Sequence, residues 1–216
     1  MYSHLEWEKL ATRPLTNPRK RASQERSRAT VDALVEATAR ILVRDGFDRA
    51  STNRIAQEAG VSVGSLYQYF PGKEALVVAV IERHTEDIMK VVRDALVEIA
   101  EQPLEQATRK LVAAAIEAHR VDPKLHRVLA EQTPRTGALA NIEAFNGRTY
   151  DLFRTYLEGR RDELRVLDLE LAAFVCVTSI EALTHNAVLH RSEILSDEAV
   201  ETLIGEATRL IVRYLQ

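Results

Sequence analysis

Hydroxyl, amide and glycine residues are concentrated in one stretch, STNRIAQEAGVSVGSLYQYFPG, which spans residues 51–72. If residues 63–70 form a helix with about 100° per residue, Leu66 and Phe70 share one face and anchor it. The opposite face carries small and polar residues, namely Gly64, Ser65 and Gln68, flanked by Tyr67 and Tyr69. Such a face suits the DNA major groove, because small residues allow close approach and polar groups reach bases or phosphates.

Two short helices and a tight turn are needed to present this face. Ser51 can cap the first helix, which ends at Gly60, and Ser62 can cap the second. The Ala-Gly-Val-Ser corner consists of small residues that let two backbones approach, as in a helix-turn-helix. An ordinary helical hairpin would have the same spacing, so the spacing alone leaves both interpretations open.

A longer run, AxxAGVSxGSLYxYFxxKExL, resembles the DNA-binding domain of the TetR family of bacterial transcriptional regulators. The matching positions are Ala56, Ala59, Gly60, Val61, Ser62, Gly64, Ser65, Leu66, Tyr67, Tyr69, Phe70, Lys73, Glu74 and Leu76. The resemblance covers roughly residues 27–79 without a gap, and the rest of the chain agrees with the family only in length and helical character.

Together, the residues and the resemblance predict a set of DNA contacts. We expect Thr52 and Lys73 to hold phosphates, and the resemblance implies this role for the lysine at the start of the next helix. Ser62 and Tyr69 are expected to contact the DNA backbone or nearby bases. The residues expected to face base edges are Asn53, Val63, Gly64, Ser65, Tyr67 and Gln68.

Few of these residues can recognise a base directly through hydrogen bonds. Only Asn53 and Gln68 offer amide pairing, and the second helix has no arginine, so DNA shape should contribute to specificity. Val63 is ambiguous, because the wheel places it near the buried face whereas the family places this position at the groove.

A basic segment precedes the motif. Residues 1–75 hold 12 Lys and Arg against 9 Asp and Glu, whereas the remainder holds 17 against 23. We interpret residues 1–26 as a flexible basic arm that follows the phosphate backbone or enters a minor groove; a solubilising tail is the alternative. Its candidate contacts, with one just beyond it, are Arg19, Lys20, Arg21, Arg26 and Arg28.

The remaining periodicity predicts an all-α chain. Helices are expected at about residues 27–45, 51–60, 63–70, 73–100, 104–120, 123–132, 138–164, 169–191 and 197–214, with breaks that include Thr133-Pro134. This gives a helix-turn-helix domain at 27–72 and a helical effector-binding and dimerisation domain at 73–216, in which 73–100 is a connecting helix.

The last two helices predict self-association. Residues 169–189 are apolar nearly all round, and the final helix has a broad apolar face. The resemblance implies a four-helix dimer interface that places two recognition helices about 34–36 Å apart on a palindromic operator. A monomer with a thick core is the alternative.

Polar and aromatic residue types in the helical body suggest the lining of an effector pocket. The candidates are His119, His126, Glu131, Phe145, Tyr150, Phe153, Glu181 and His185. Glu181 and His185 lie four apart, so they could share a zinc or nickel ion with His119 or His126. A hydrogen-bonded pair inside a bundle is the commoner use of that spacing. We therefore predict an apolar or aromatic small-molecule effector, and no metal or cofactor.

Several function classes are disfavoured. The sequence has no glycine-rich phosphate loop, HExxH, CxxC, GxSxG or paired-carboxylate site, so we do not expect an enzyme. The single Cys176, the short uninterrupted apolar runs and the absence of an apolar signal core predict a cytoplasmic protein without a membrane partner. The prediction is a ligand-responsive, homodimeric DNA-binding repressor. A helical protein-protein adaptor is the alternative.

Overall fold

The computed structural model describes residues 25–99, 101–136, 139–190 and 196–216. Across those ranges the chain is helical and has no strand, which confirms the all-α prediction. The helices are α1 (Glu25–Asp45), α2 (Thr52–Glu58), α3 (Val63–Tyr69), α4 (Lys73–Glu98), α5 (Leu104–Arg120), α6 (Pro123–Thr136), α7 (Leu139–Glu158), α8 (Leu169–His190) and α9 (Asp197–Leu215), with a short 3-10 helix at Arg161–Glu163.

Two helix boundaries differ from the prediction. The break expected at Thr133-Pro134 is wrong, because α6 continues to Thr136. Pro134 lies in the last turn of α6, with only two helical residues after it, so the hydrogen bond that a proline cannot make is lost at the helix end and not in its interior. Helix α7 ends at Glu158, next to Gly159, and a separate 3-10 turn covers part of the span that we had expected it to fill.

The chain divides into two compact units. The first contains the described residues up to Ile81 together with 128–136, and the second contains the rest, so that α4 and α6 contribute residues to both. The domain boundary expected between residues 72 and 73 stays a prediction.

The first unit is built around a small apolar core. Leu34 and Ile41 of α1, Ile55 of α2 and Leu66 of α3 have no exposed surface, and Phe70 is only 1% exposed. These residues recur at the spacing of an apolar helix face, which explains why three short helices hold together. The face of α3 that packs into this core is therefore the face with Leu66 and Phe70, as the helical wheel predicts.

An ion-pair network covers one side of α1 and α2. Glu58 of α2 accepts hydrogen bonds from Arg40 and Arg44 of α1 at 3.2 Å each. The hydrogen bond from Arg44, followed by that from Arg40, lowers the pKa of the Glu58 carboxyl. Arg54 bonds Asp45 at 2.6 Å, so the network extends to the C-terminus of α1.

The second unit is a helical bundle. Helix α5 packs against α8 and α9, and α7 packs against α8. Cys176 of α8 is fully buried in this core, and burial raises the pKa of its thiol to about 12. A thiol that stays protonated is a poor nucleophile, so Cys176 is an inert packing residue.

Helix α8 has the length and apolar composition of a membrane span, with 22 residues and a mean hydropathy of 1.4 over its most apolar window. The lengths of the uninterrupted apolar runs therefore underestimate the hydropathy of this helix, because a few polar residues separate its apolar ones. Core helices of soluble proteins pass the same test, and α8 buries Ala172, Ala173, Cys176 and Ile180 against its neighbours.

We predict that Glu58→Gln lowers the Tm at neutral pH, because it removes the charge that pairs with both arginines. A carboxyl with a lowered folded pKa stabilises fully above its unfolded value of about 4.3, and this contribution is lost as pH falls through the folded pKa. The Tm difference between the variant and the wild type should therefore shrink on acidification, measured by thermal melts between neutral and acidic pH.

The matched control is Glu36→Gln, which removes a more exposed carboxylate that pairs with Arg40 alone, at 2.7 Å. Its effect on Tm should be smaller. Equal Tm changes for the two variants, or a Glu58→Gln difference that persists in acid, would contradict this role.

Candidate nucleic-acid interface

Two serine caps and a left-handed glycine define the corner between α2 and α3. Ser51 Oγ accepts from the Arg54 amide at 3.4 Å, and Ser62 Oγ accepts from the Ser65 amide at 3.0 Å. Gly60 has a φ of +69°, a backbone conformation that residues with a Cβ rarely adopt. The local sequence therefore sets where α2 ends and where α3 begins.

The outward face of α3 is polar and open. Gly64 and Gln68 are exposed, and Tyr67 is 42% exposed. The Tyr67 hydroxyl lies 3.1 Å from Thr52 Oγ1, which ties the start of α2 to α3. Asn53 is exposed beside Thr52, so residues of both helices contribute polar groups to the corner.

Gly64 is not required by packing within the chain. A Cβ built at this position would meet only Ser62 Oγ, at 3.8 Å, which is an ordinary van der Waals contact. Its φ is not positive, so the backbone conformation does not require glycine either. The missing side chain leaves the backbone of α3 open to close approach from outside.

Val63 and Ser65 are half-buried. Ser65 Oγ lies 2.8 Å from Ser62 Oγ, so both hydroxyls take part in the capping arrangement. Only one of the two O–H groups is used in this mutual hydrogen bond, so the other is free to donate outward.

Tyr69 differs from the expectation that both tyrosines face outward. Its ring is only 7% exposed, and its hydroxyl donates to Ser27 Oγ at 3.2 Å. The residue lies one position before the buried Phe70, on the side of α3 that faces α1. Tyr69 therefore links α3 to α1. Contact between its hydroxyl and DNA stays a prediction.

The Lys73 side chain is turned toward its own chain. Its Nζ donates to the Phe47 carbonyl at 3.2 Å and lies 4.1 Å from the centre of the Phe47 ring. These contacts fix the start of α4 beside the loop after α1. An ammonium group has three N–H donors, so a phosphate contact needs one of the remaining two.

The basic residues proposed for the arm are mostly not described. Arg19, Lys20 and Arg21 lie outside the described residues, and the side chain of Arg26 is likewise not described. Arg28 is exposed on α1.

The structure brings together three of the effector candidates. One ring nitrogen from each of His119, His126 and His185 lies within 4.8 Å of the others. His84 of α4 joins them, with its Nε2 3.0 Å from His126 Nδ1. Sequence reasoning missed His84, because only the packing of α4 near α6 places it there.

The other effector candidates do not join this group. Glu181 is half-buried, with burial raising its pKa, and its carboxylate is outside the histidine group. Glu131 is exposed, and Phe153 is a core residue at 3% exposure. The side chain of Phe145 lies outside the described residues.

Tyr150 lines a groove of about 590 Å³ between α7 and α8. Its ring lies 5.7 Å from that of Phe174, and its hydroxyl lies 3.3 Å from Thr178 Oγ1. The charged residues Asp151, Arg154, Asp168 and Glu170 also line the groove. The groove is therefore amphipathic, and it shares no lining residue with the histidine group.

Apolar side chains are also exposed on the last two helices. Leu171 and Phe174 of α8 are 54% and 49% exposed, and Leu210 of α9 is 53% exposed. Both helices contribute their other faces to the core of the second unit.

Two family models match this chain. The model described as "Bacterial regulatory proteins, tetR family" matches residues 34–80, which include α2 and α3. The model described as "Tetracyclin repressor-like, C-terminal domain" matches residues 103–215, about half of the chain. Both describe regulatory proteins.

Curated relatives match over a similar extent. The nucleoid occlusion factor SlmA of Haemophilus ducreyi is 29% identical over 118 residues, covering 55% of this chain and 56% of that protein. The transcriptional activator FasR of Mycolicibacterium smegmatis is 30% identical over 125 residues, with the same coverage. The chain thus spans about half the length of these relatives.

Solved structures match the fold over most of its length. A TetR-family regulator from Mesorhizobium loti superposes with a TM-score of 0.73 at 20% identity, covering 88% of this chain and 98% of that one. The fatty acid degradation regulator FadR of Bacillus halodurans gives 0.65 at 21% identity, covering 85% and 94%. These likenesses support the fold.

A capped helix-turn-helix with an open polar face therefore lies within the part of the chain that matches the family's N-terminal model, and the helical second unit contains the part that matches the C-terminal model. This chain belongs to the TetR family of bacterial transcriptional regulators and carries its DNA-binding helix-turn-helix.

Proposed function

We propose that this regulator is a repressor that binds a palindromic operator as a homodimer and is released by a small-molecule effector. The observation that carries the DNA-binding part is the outward face of α3, where Gly64 leaves the helix backbone accessible without any internal need for glycine. Close backbone approach is what a helix in the major groove requires. We assign DNA binding to residues 27–72, and effector binding and dimerisation to 73–216.

The polar groups around Gly64 supply the contacts. Gln68 and Asn53 are the exposed amides, and an amide can pair bidentately with adenine. Thr52 and Ser62 offer hydroxyls that suit phosphate oxygens, whereas the Tyr67 hydroxyl is expected to face base edges. In this proposal Lys73 supplements them from the first turn of α4, where the free backbone amides also favour an anion.

The exposed apolar residues of α8 and α9 support the homodimer. Leu171, Phe174 and Leu210 are large apolar side chains on two helices that pack against each other, and a second copy would remove them from water. A two-fold axis between the copies would present two α3 helices to two half-sites, about one turn of DNA apart.

Release requires an effector that binds one conformation better than another. The operator affinity then falls by the ratio of the effector's affinities for the two conformations. Helix α4 is the element that continues from the DNA-binding unit into the effector-binding unit. The groove beside Tyr150 and Phe174 is our candidate for the apolar or aromatic effector. Leu171 and Phe174 line this groove, so in this proposal the second copy that covers them also closes the groove over the effector.

DNA binding is tested by fluorescence anisotropy titration against the DNA flanking the protein's own gene, with and without a polyanionic competitor. We expect competitor-resistant binding at a palindrome. Gly64→Ala should weaken that binding at least about tenfold, because its methyl group enters the interface. The same change should leave folding intact or raise stability by up to about 1 kcal/mol, since alanine favours a helix.

Gly147→Ala is the matched control, because an added Cβ there meets nothing within 4 Å and the position lies in the second unit. Because Gly147 lines the proposed effector groove, the comparison is made without effector, and operator affinity should then be unchanged. Binding that competitor abolishes for the wild type, together with no difference between the two variants, would instead favour a helical adaptor for proteins.

Gln68→Ala tests base readout. We expect it to relax specificity at one base pair in each half-site by about 1–3 kcal/mol, because a bidentate amide contact would be lost. The measurement is a set of titrations against operators substituted one base pair at a time. An equal loss of affinity on every operator sequence would instead indicate that Gln68 contacts the DNA backbone.

Leu210→Glu tests the homodimer. We expect it to dissociate the dimer in sedimentation velocity experiments, because it places a charge in the proposed apolar interface. Val97→Glu is the control, since Val97 of α4 is 79% exposed and lies outside that interface. The dimer proposal would be wrong if the wild type sedimented as a monomer, or if both variants stayed dimeric.

A further inference from the structure

Four histidines from four different helices meet inside the second unit. They are His84 of α4, His119 of α5, His126 of α6 and His185 of α8. His126 lies at the centre, with its Nδ1 3.0 Å from His84 Nε2 and its Nε2 2.8 Å from His185 Nδ1. The His119 ring packs edge-on against the His126 ring, with centres 4.7 Å apart.

These imidazoles are neutral at physiological pH. His119 and His126 are both more than 90% buried by surface area. Burial, reinforced by the neighbouring His119, His185 and His84, lowers the pKa of His126 to about 3. Burial also lowers the pKa values of His84, His119 and His185. Each ring therefore keeps one nitrogen lone pair, the form in which histidine binds metals.

The hydrogen bond of His119 selects which nitrogen is available. Its Nδ1 lies 2.7 Å from the Ala115 carbonyl, and a carbonyl can only accept, so Nδ1 carries the proton. Nε2 of His119 is then the nitrogen with the free lone pair. A ring that donates its other N–H to a backbone carbonyl is the usual arrangement of a metal-binding histidine.

His84 can play the same part for His126. If His126 Nδ1 donates to His84 Nε2, then Nε2 of His126 is left with its lone pair, facing His185 Nδ1. His84 is then the hydrogen-bond acceptor that orients a ligand instead of being a ligand itself. In this arrangement His185 Nδ1 carries the proton that His126 Nε2 accepts, so His185 binds an ion through Nδ1 only in its other neutral tautomer, with the proton on Nε2. The three ligand nitrogens are then Nε2 of His119, Nε2 of His126 and Nδ1 of His185.

We propose that His119, His126 and His185 form a binding site for a first-row divalent transition metal ion such as Zn²⁺, with His84 orienting His126. Three imidazole nitrogens suit zinc, nickel or cobalt and disfavour the hard cations Mg²⁺ and Ca²⁺, which take oxygen ligands. Two nitrogens of a tetrahedral zinc site lie about 3.4 Å apart for bonds of 2.0–2.1 Å. Ion binding would therefore need small side-chain rotations that open the 2.8 Å separation of the His126 and His185 nitrogens and shorten the wider separations, which are at most 4.8 Å.

A three-histidine site leaves at least one coordination position for water or another donor. Sequence reasoning had weighed a metal held by Glu181 and His185 together with His119 or His126, and had predicted none. The three imidazoles form the set without that carboxylate, and the histidine that supports them comes from α4. The proposal concerns ion binding by the second unit and does not depend on DNA binding.

The test is a titration of the purified protein, free of any affinity tag, with Co²⁺ and Zn²⁺ in the absence of DNA. We expect one ion per chain, ligand-field absorption bands typical of four-coordinate Co²⁺, and their loss when Zn²⁺ displaces the cobalt. Competition with a chromophoric chelator measures the Zn²⁺ affinity. At about 100 times the Kd, free Zn²⁺ should raise the Tm by about 5–10 °C.

The variants separate ligands from neighbours. His126→Gln and His185→Gln should each weaken Zn²⁺ binding more than about 100-fold and abolish the four-coordinate cobalt spectrum, whereas His84→Gln should weaken binding about 10- to 100-fold and keep the spectrum. His190→Gln is the control, because His190 is exposed and belongs to none of the hydrogen bonds of the cluster. It should bind like the wild type.

Glutamine was chosen because it keeps polar, hydrogen-bonding groups in place of the ring. Thermal melts in excess chelator establish that each variant is folded before it is titrated. The proposal is overturned if the folded wild type takes up no metal. It is also overturned if His126→Gln and His185→Gln bind Zn²⁺ as the His190→Gln control does.

Discussion

The positive φ of Gly60 is the constraint on which the DNA-binding corner depends. It ends α2 after seven residues and turns the chain so that Ser62 can cap α3. Leu66 and Phe70 then reach the core of the first unit, and Gly64 and Gln68 are left outside. A residue with a side chain in place of Gly60 would strain this turn. The position of the Ser62 cap and the orientation of α3 would change with it.

The sequence was informative wherever local chemistry decides the structure. Serine caps, the glycine turn and the two apolar anchors of α3 are local signals, and the structure has each of them where the pattern indicates. Tyr69 shows the limit of this reasoning. A helical wheel places a residue on a face, but its burial depends on α1, whose Ser27 lies 42 positions earlier in the chain.

The geometry of the histidine cluster could not be derived from the sequence for the same reason, although residue type had suggested His119 or His126 as possible partners of His185. His126 contacts partners that are 42 and 59 residues away, and only the packing of α4, α6 and α8 brings them together. The i, i+4 spacing of Glu181 and His185 was a local signal, but the structure places His185 in the cluster and the Glu181 carboxylate outside it. Lys73 is a similar case, since a motif position predicts a residue type but not the carbonyl of Phe47 that its amine contacts.

The half-exposed apolar residues on α8 and α9 have a consequence for the cell. If a second copy covers Leu171, Phe174 and Leu210, the free energy of folding includes the association step and therefore depends on how many molecules are present. A bacterium that makes few copies would hold a larger fraction as single chains, which are open to proteolysis. Synthesis and turnover would then set the working threshold of this regulator as much as any ligand.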